Sequence, residues 1–368
     1  MILHLVEDSI IIERVISDFD EVLPARNLFL CFIVEEAKYI KQRECVRYCQ
    51  DGIIQGEKFD LDSIEKIVIH FLSDVKIDFI EKYIKKKIPV YWIMWGGDFY
   101  NDLIASKSSI FFEPYYAGRR FYLNYLLSKI TRYIPIPDKR IKKKLEFIRN
   151  RVDFFLSTKP EYDLLQSFYP NCIKGDLNDS FFYYPIDTIV EKRLKSGKEN
   201  NIIIGNSGSV TNNHLYAFKY LKTLNLKSRR VILPLSYGGS EKYKKHVIST
   251  GKGLWNDQFQ SIDTLLPLDE YNKVLSSSSV CIYSNWRQEA VGNILTVLVM
   301  GAKVFLSVRN PLFKYFDILS IKVYPLEEIT QQMLDEVLPN YVAEHNRLVI
   351  LKKFNKEAMH NTIYKLFA

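Results

Sequence analysis

The sequence predicts an α/β protein of two parallel-sheet domains facing a cleft, with a final helix closing the chain. Three observations carry this. The length of 368 residues suits about two domains. Short apolar strands alternate with helical stretches along the whole chain. The alternation also falls into two consecutive β/α series, the signature of parallel sheets.

In the first series, strands are expected near 1–6, 28–34, 66–71, 89–94 and 152–156. Helices are expected near 9–22, 74–86, 108–130, 140–150 and 159–168. Residues Phe181 to Pro185 read as a connector, followed by the charged stretch EKRLKSGKEN. The second series has strands near 201–205, 229–234, 279–284, 303–307 and 322–324. Its helices lie near 211–224, 240–250, 268–276, 291–301, 311–317 and 327–336. A last helix spans about 340–366. The expected domains are 1–185 and 186–368, with the final helix free to pack back on the first. Ligands of such sheets bind at the carboxyl ends of strands.

Composition excludes several classes. Apolar residues make up 47% and charged residues 26%, which argues against a disordered or collagen-like chain. No apolar run approaches the roughly 20 residues that span a bilayer. The start, MILHLVEDS, lacks the basic-then-apolar pattern of a signal peptide. Five cysteines, an odd number without framework spacing, suggest reduced cytosolic thiols. Cys45 and Cys49 could share a helix face, but no histidine or second pair stands near them, and no metal is expected.

The net charge is +8, and its distribution matters more. From Tyr116 to Arg151, eleven basic residues face only Asp138 and Glu146, so this stretch is +9 and the remainder is about neutral. Tyr116, Phe121, Tyr122, Tyr125 and Tyr133 are interleaved with the charges. Such a mixture suits an anionic membrane surface and also a nucleic acid. Alternatively, Ile141, Leu145 and Ile148 bury one helix face and leave the lysines in solvent. Arg119, Arg120, Lys142, Lys143 and Lys144 are the candidate membrane or acceptor contacts.

Three constellations could carry chemistry. In the first, strand Ile202-Ile203-Ile204 runs into Gly205-Asn206-Ser207-Gly208-Ser209 and a helix start near Thr211. Gly205 and Gly208 permit close approach of an anion, and Asn206, Ser207, Ser209 and first-turn amides can donate to phosphate oxygens. An ordinary strand-to-helix turn capped by Thr211 or Asn212 explains the pattern equally well. In the second, Tyr283-Ser284-Asn285-Trp286 leads to Arg287, Gln288, Glu289, Gly292 and Asn293 at another helix start. Arg287 and the Gly292 turn suit a diphosphate, and Gln288, Glu289 and Asn293 suit ribose or sugar hydroxyls. Arg287 and Glu289 also suit a simple ion pair. In the third, strand VYWI ends in Trp95-Gly96-Gly97-Asp98. Asp98 is a candidate general base on an acceptor hydroxyl, with N-capping as its rival role. His70, ending IVIH, could orient Asp98, bind substrate or sit hydrogen-bonded in the core. Asp8 is a weaker rival base. Asp60-Leu61-Asp62 matches a DxD pattern only literally, so phosphate neutralisation falls to helix dipoles and Arg287 rather than to a metal.

Taken together, WIMWGGDFY (92–100), IIIGNSGSVTNNH (202–214), ILPLSYGG (232–239) and WRQEAVGNILTVLVMGAKVFLSVRNPLF (286–313) resemble one family. It comprises the bacterial 4-acetamido-4,6-dideoxygalactose transferases of enterobacterial common antigen synthesis, also described as 4-alpha-L-fucosyltransferases, glycosyltransferase family 56. The resemblance implies a GT-B fold of two Rossmann-like domains, 1–185 for the acceptor and 186–368 for the nucleotide sugar, with no required metal or other cofactor. It implies a nucleotide-sugar donor, dTDP-linked, and a lipid-diphosphate-linked glycan acceptor. The expected enzyme is a hexosyltransferase of bacterial surface polysaccharide synthesis, peripheral on the cytoplasmic face of the inner membrane, with no nucleic acid partner. Its transferred sugar would be a deoxy-amino or fucose-like one. Tyr237, in PLSYGG, is a candidate for stacking on the base or lining the donor pocket. The alternatives are another GT-B nucleotide-sugar enzyme, such as an epimerase, or a non-catalytic polyanion-binding scaffold.

Overall fold

The run ILHLVE is apolar on both faces, as a strand in the middle of a covered parallel sheet must be. In the computed structural model it forms β1 (Ile2–Glu7), flanked in parallel by β2 (Asn27–Ile33) and β5 (Lys66–His70). The structure describes residues 1–33, 35–50, 53–55, 60–103, 113, 123, 126–127, 139–183, 185–190 and 199–368. Most of the helix expected near 108–130, with Arg119 and Arg120, lies outside them. Among the described residues, no helix is long and apolar enough to cross a membrane.

The chain divides into two compact units, Met1–Ala105, Ile136–Tyr183 and Glu357–Ala368 in one, and Ser106–Pro135 and Tyr184–Lys356 in the other. The first holds an eight-stranded sheet in the order β4-β3-β2-β1-β5-β6-β7-β8. Its further strands are β3 (Val46–Gln50), β4 (Ile53–Gln55), β6 (Val90–Ile93), β7 (Phe154–Leu156) and β8 (Asp176–Asn178). Only the β3–β4 pair is antiparallel. Sequence reasoning missed β3, β4 and β8. VRYCQ mixes polar and apolar residues one strand in from an edge, and the other two have three residues each. Cys45 and Cys49 therefore lie at and in a strand, not on a helix face, and all five cysteines are free. The helices are α1 (Ile10–Val22), capped by Ser9, α2 (Asp74–Tyr83), a π-helical turn at Gly97–Leu103, α3 (Lys139–Arg151) and α4 (Lys159–Phe168).

The charge on α3 does not stay in solvent. Lys144 is buried, with its ammonium on Asp102 and Asp74. Lys143 pairs with Asp78, and Arg140 with Asp74 and Asp102. Lys142 remains exposed, 3.9 Å from Glu146. The basic surface expected at Lys143 and Lys144 is thus largely neutralised by acids of α2 and the π-helical turn. A count along the chain could not see those acids, because they are neighbours in space only.

The second unit holds six parallel strands in the order β11-β10-β9-β12-β13-β14. These are β9 (Asn201–Ile204), β10 (Val231–Pro234), β11 (Phe259–Ile262), β12 (Ser278–Tyr283), β13 (Lys303–Leu306) and β14 (Tyr324–Pro325). Between them run α5 (His214–Leu221), α6 (Glu241–Trp255), α7 (Leu268–Ser276), α8 (Val291–Met300) and α9 (Pro311–Ile318), followed by α10 (Gln331–Asp335) and α11 (Asn340–Lys353). β11 was not expected, since FQSI offers one buried residue in four.

The single closing helix is two. The break falls at Phe354–Asn355, and α12 (Lys356–Phe367) then packs in the first unit. There Met359, Ile363 and Phe367 join the core around Phe19 and Tyr91. The Phe367 ring lies 5.3 Å from Phe19 and 4.9 Å from Tyr91. Phe367→Ala should cost about 3–5 kcal/mol, the usual range for deleting a buried phenylalanine. Urea unfolding of the variant should show this loss in the first unit, and an unchanged midpoint would contradict the packing.

Candidate active site

In each sheet the strand order reverses once, between β1 and β5 and between β9 and β12. Loops leaving the carboxyl ends on either side of a reversal diverge and leave a crevice, the usual ligand position in open α/β sheets. The second reversal brings together the first two sequence constellations, the loops 205–213 and 284–290.

Polar side chains lace these loops together. Asn212 Oδ1 accepts from Asn206 N at 3.0 Å, and Asn212 Nδ2 donates to Ser207 Oγ at 2.9 Å. Ser284 Oγ donates to Asn212 O at 2.7 Å, and Asn213 Nδ2 donates to Ser284 O at 3.0 Å. Asn213, left-handed at φ 53°, precedes α5 in place of the expected Thr211 or Asn212 cap. Gly205 has φ +68°, and a Cβ there would meet Asn212 Oδ1 at 2.7 Å and His214 Nε2 at 3.1 Å. The space that Gly205 was expected to leave for an anion is filled by the protein. Gly208 is likewise covered by Lys244 and by Gly238 of the β10–α6 loop. Tyr237 is half-exposed, and its hydroxyl accepts from Asn206 Nδ2 at 2.8 Å, which ties its ring to the β9 loop. Ser209 is partly exposed on the same loop.

Glu289 joins the two sides. It accepts from Thr211 Oγ1 at 2.7 Å, from Asn285 Nδ2 at 2.8 Å and from Arg287 Nε at 2.5 Å. The pairing of Arg287 with Glu289 is therefore real. It corrects the expectation that Arg287 stands ready as the phosphate's counter-charge. The carboxylate neutralises it locally. Ala290, at φ 62°, precedes α8 without a side-chain cap, so the first-turn amides around Gly292 and Asn293 have no capping partner from it. A Cβ on Gly292 would meet nothing within 4 Å, so open space lies over this turn. Gln288 and Asn293 are partly exposed beside it.

Two cations escaped sequence reasoning. Arg309 follows β13 and is exposed, its guanidinium 3.9 Å from the centre of the Trp286 ring. Among the described residues no carboxylate forms an ion pair with it. Lys244, near the start of α6, lies against Gly208 and among the described residues pairs with the exposed Glu241 alone, at 3.2 Å. Their signals were Val308-Arg309-Asn310-Pro311 after a strand and a lysine four residues past the Ser240 cap. Buried polar atoms here also lack hydrogen-bond partners among the described residues: Asn206 Oδ1, Asn285 Oδ1, Trp286 Nε1 and His214 Nε2. Such orphans are rare in native interiors and mark places completed by water or ligand.

The first unit builds a second centre at the ends of β1, β5, β6 and β7. Asp98 is buried and accepts three hydrogen bonds, from Leu72 N at 2.9 Å, Trp92 Nε1 at 2.8 Å and Trp95 N at 3.0 Å. Burial raises its pKa while these donors lower it. The carboxylate is buried among these donors and does not have the exposed placement expected from the sequence. Lys76, wholly buried, donates to His70 O at 2.7 Å and Phe71 O at 3.0 Å and pairs with Glu7 at 3.0 Å. Phe71 is thereby held left-handed at φ 68°, a strained choice for a bulky residue. Asp8, the weaker rival base, instead accepts from the amides of Lys38, Tyr39 and Ile40.

His70 does not touch Asp98. It belongs to a buried chain whose proton positions follow from its ends. Trp95 Nε1 can only donate, and it does so to Tyr183 Oη at 2.6 Å. Asn27 Nδ2 faces Phe19 O and Leu23 O, so Asn27 Oδ1 must accept from His4 Nε2 at 3.2 Å. His4 Nδ1 then accepts from His70 Nε2 at 3.1 Å, and His70 Nδ1 accepts from the Tyr183 hydroxyl at 2.9 Å. Both imidazoles are neutral, and burial lowers the His4 pKa to about 3 and that of His70 well below its ordinary value.

Comparison with solved structures supports the fold. Sucrose-phosphate synthase from Thermosynechococcus elongatus superposes with a TM-score of 0.64 at 10% identity, covering 100% of this chain and 98% of that one. HepE of Anabaena, solved with UDP and glucose, gives 0.62 at 9% identity, covering 99% and 98%. The E. coli trehalose-6-phosphate protein bound to UDP-2-fluoro glucose gives 0.59 at 10%, covering 100% and 98%. The fold is GT-B, and the protein is a glycosyltransferase. More narrowly, it belongs to glycosyl transferase group 56, the 4-alpha-L-fucosyltransferase family, whose model matches residues 148–357, more than half of the chain.

Two outcomes test the first unit's carboxylates. Asp98→Asn points an NH₂ group at backbone or indole donors, so it should cost about 1–3 kcal/mol and lower turnover together with stability. Turnover lost about 10²-fold at an unchanged melting point would restore the base role. Glu161 is buried under the hydroxyls of Tyr100, Ser157 and Thr158, and burial pushes its pKa up from 4.5 to about 7. Between those values the folded protein keeps a proton that the unfolded chain releases. This group's contribution is therefore fully present at low pH and falls until the pH passes about 7. Denaturant titrations from pH 5 to 8 should show Glu161→Gln gaining on the wild type by roughly 2–3 kcal/mol as pH rises.

Proposed function

We propose that this transferase moves a deoxy-amino or fucose-like sugar from a nucleoside diphosphate donor, dTDP-linked, to a lipid-diphosphate-linked glycan. In this reading the second unit binds the donor. The supporting observation is the uncapped, open N-terminus of α8 beside Arg309 and the orphaned buried atoms of Asn206, Asn285 and Trp286. Helix-terminal amides plus a guanidinium without a carboxylate partner among the described residues suit a diphosphate without a metal. Arg287 and Glu289 would set the loop geometry, Tyr237 would offer its ring face to the base, and Gln288 and Asn293 would meet hydroxyls. Group 56 membership supports the fucose-like sugar. The acceptor belongs to the first unit in this reading, where Asp98, Lys76 and the His4–His70–Tyr183 chain fix the strand-end loops. Surface polysaccharide synthesis at the cytoplasmic face of the inner membrane is the setting that such an acceptor requires. The exposed Leu123, Leu126 and Leu127 are consistent with peripheral contact.

Thermal stabilisation by dTDP, UDP, GDP and AMP, each with and without EDTA, tests the donor site. A ligand at ~100 times its dissociation constant adds about 2.7 kcal/mol, a shift of a few degrees. A selective shift with dTDP that survives EDTA is expected, and Arg309→Ala should reduce it at least tenfold in apparent affinity. A UDP or GDP preference would overturn the dTDP assignment. No shift with any nucleotide would overturn the donor site.

A further inference from the structure

Asp18 is an anomaly in the first unit. It sits on α1 at 6% exposure, and its Oδ2 accepts no hydrogen bond among the described residues. Arg14 Nε stands 4.0 Å from that oxygen, beyond hydrogen-bond reach. On the other oxygen, Asp18 Oδ1 lies 3.4 Å from His360 Nε2 of α12. A buried carboxylate with one long contact per oxygen is poorly satisfied, and such groups call for an explanation. Glu21 is three residues further along α1, on the same helix face, and its Oε1 is 3.9 Å from the other nitrogen of His360. One ligand atom from each of the three residues falls within 4.8 Å of the other two.

We propose that Asp18, Glu21 and His360 form a divalent-cation site of the Zn²⁺ type that pins α12 to α1. The donor set, two carboxylates and one imidazole, is the oxygen-and-nitrogen chemistry that Zn²⁺ accepts, with water as the fourth ligand. Two ligands at Zn²⁺ bond lengths of about 2.0–2.1 Å in a tetrahedron lie about 3.3–3.4 Å apart, close to the Asp18–His360 separation of 3.4 Å. The buried Asp18 supplies a fixed anchor. The more exposed Glu21 moves the short distance that brings its carboxylate to the same ion. The ion would lie on the Oδ1 side that His360 faces, and would add positive charge to a buried carboxylate whose Oδ2 has the Arg14 guanidinium at 4.0 Å. This role is structural, and it is independent of the donor assigned above.

Full-length protein, freed of tags and stripped with chelator, should be titrated with Zn²⁺ by calorimetry and followed by melting temperature. One equivalent should bind per chain with a rise in melting temperature, and Co²⁺ in its place should give the visible absorption of a tetrahedral site. His360→Gln and Asp18→Asn should each weaken binding at least tenfold, and His345→Gln, altering an exposed histidine of the second unit, should leave it unchanged. Should either core variant fail to fold, Glu21→Gln changes only an exposed side chain and should weaken binding in the same way. The absence of stoichiometric binding, or binding that survives both His360→Gln and Glu21→Gln, would overturn the site.

Discussion

A buried carboxylate organises the first unit. Asp98 receives a backbone amide from the loop after β5, an indole from within β6 and an amide from the loop after β6. Loops at strand ends carry amides that no ladder partner satisfies, and a buried unpaired amide costs about as much as a lost hydrogen bond. By collecting donors from adjacent strand ends, Asp98 makes two loops one structural piece. Lys76 complements it by collecting the carbonyls of His70 and Phe71, which holds Phe71 in its strained left-handed state.

Glu289 plays the corresponding part in the second unit. It binds Thr211 across the reversal of strand order and Asn285 and Arg287 on its own loop. The same economy governs both sheets: an acidic side chain holds the framework. In the second unit this leaves a cation outside the framework, Arg309 on the face of Trp286. An aromatic face attracts a guanidinium without neutralising it, so Arg309 is oriented and still charged.

Much of this was legible in the sequence. Ile202–Ile204 and Val280–Tyr283 read as buried strands because they are apolar on both faces, and their polar sequels marked the loops that the strand order then brings together. What could not be read were pairings across long sequence separations. VDFFLS and KRIKKKLEF gave no hint that Lys144 would be buried on Asp74 and Asp102. Trp95-Gly96-Gly97-Asp98 suggested an accessible base, because nothing local announces that Leu72 and Trp92 converge on the same carboxylate. Arg309 was passed over for Arg287 for the same reason: only the fold shows which of the two meets Glu289.

The return of α12 to the first unit has a consequence for biosynthesis. Phe19, Tyr91 and their neighbours lack Met359, Ile363 and Phe367 until the whole of the second unit has been translated. The segment Tyr184–Lys356, by contrast, is contiguous and is synthesised before that helix. The first unit, begun earlier, thus exposes an apolar seam until its last helix is made. The seam around Phe19 is the surface that a chaperone would meet on the nascent chain.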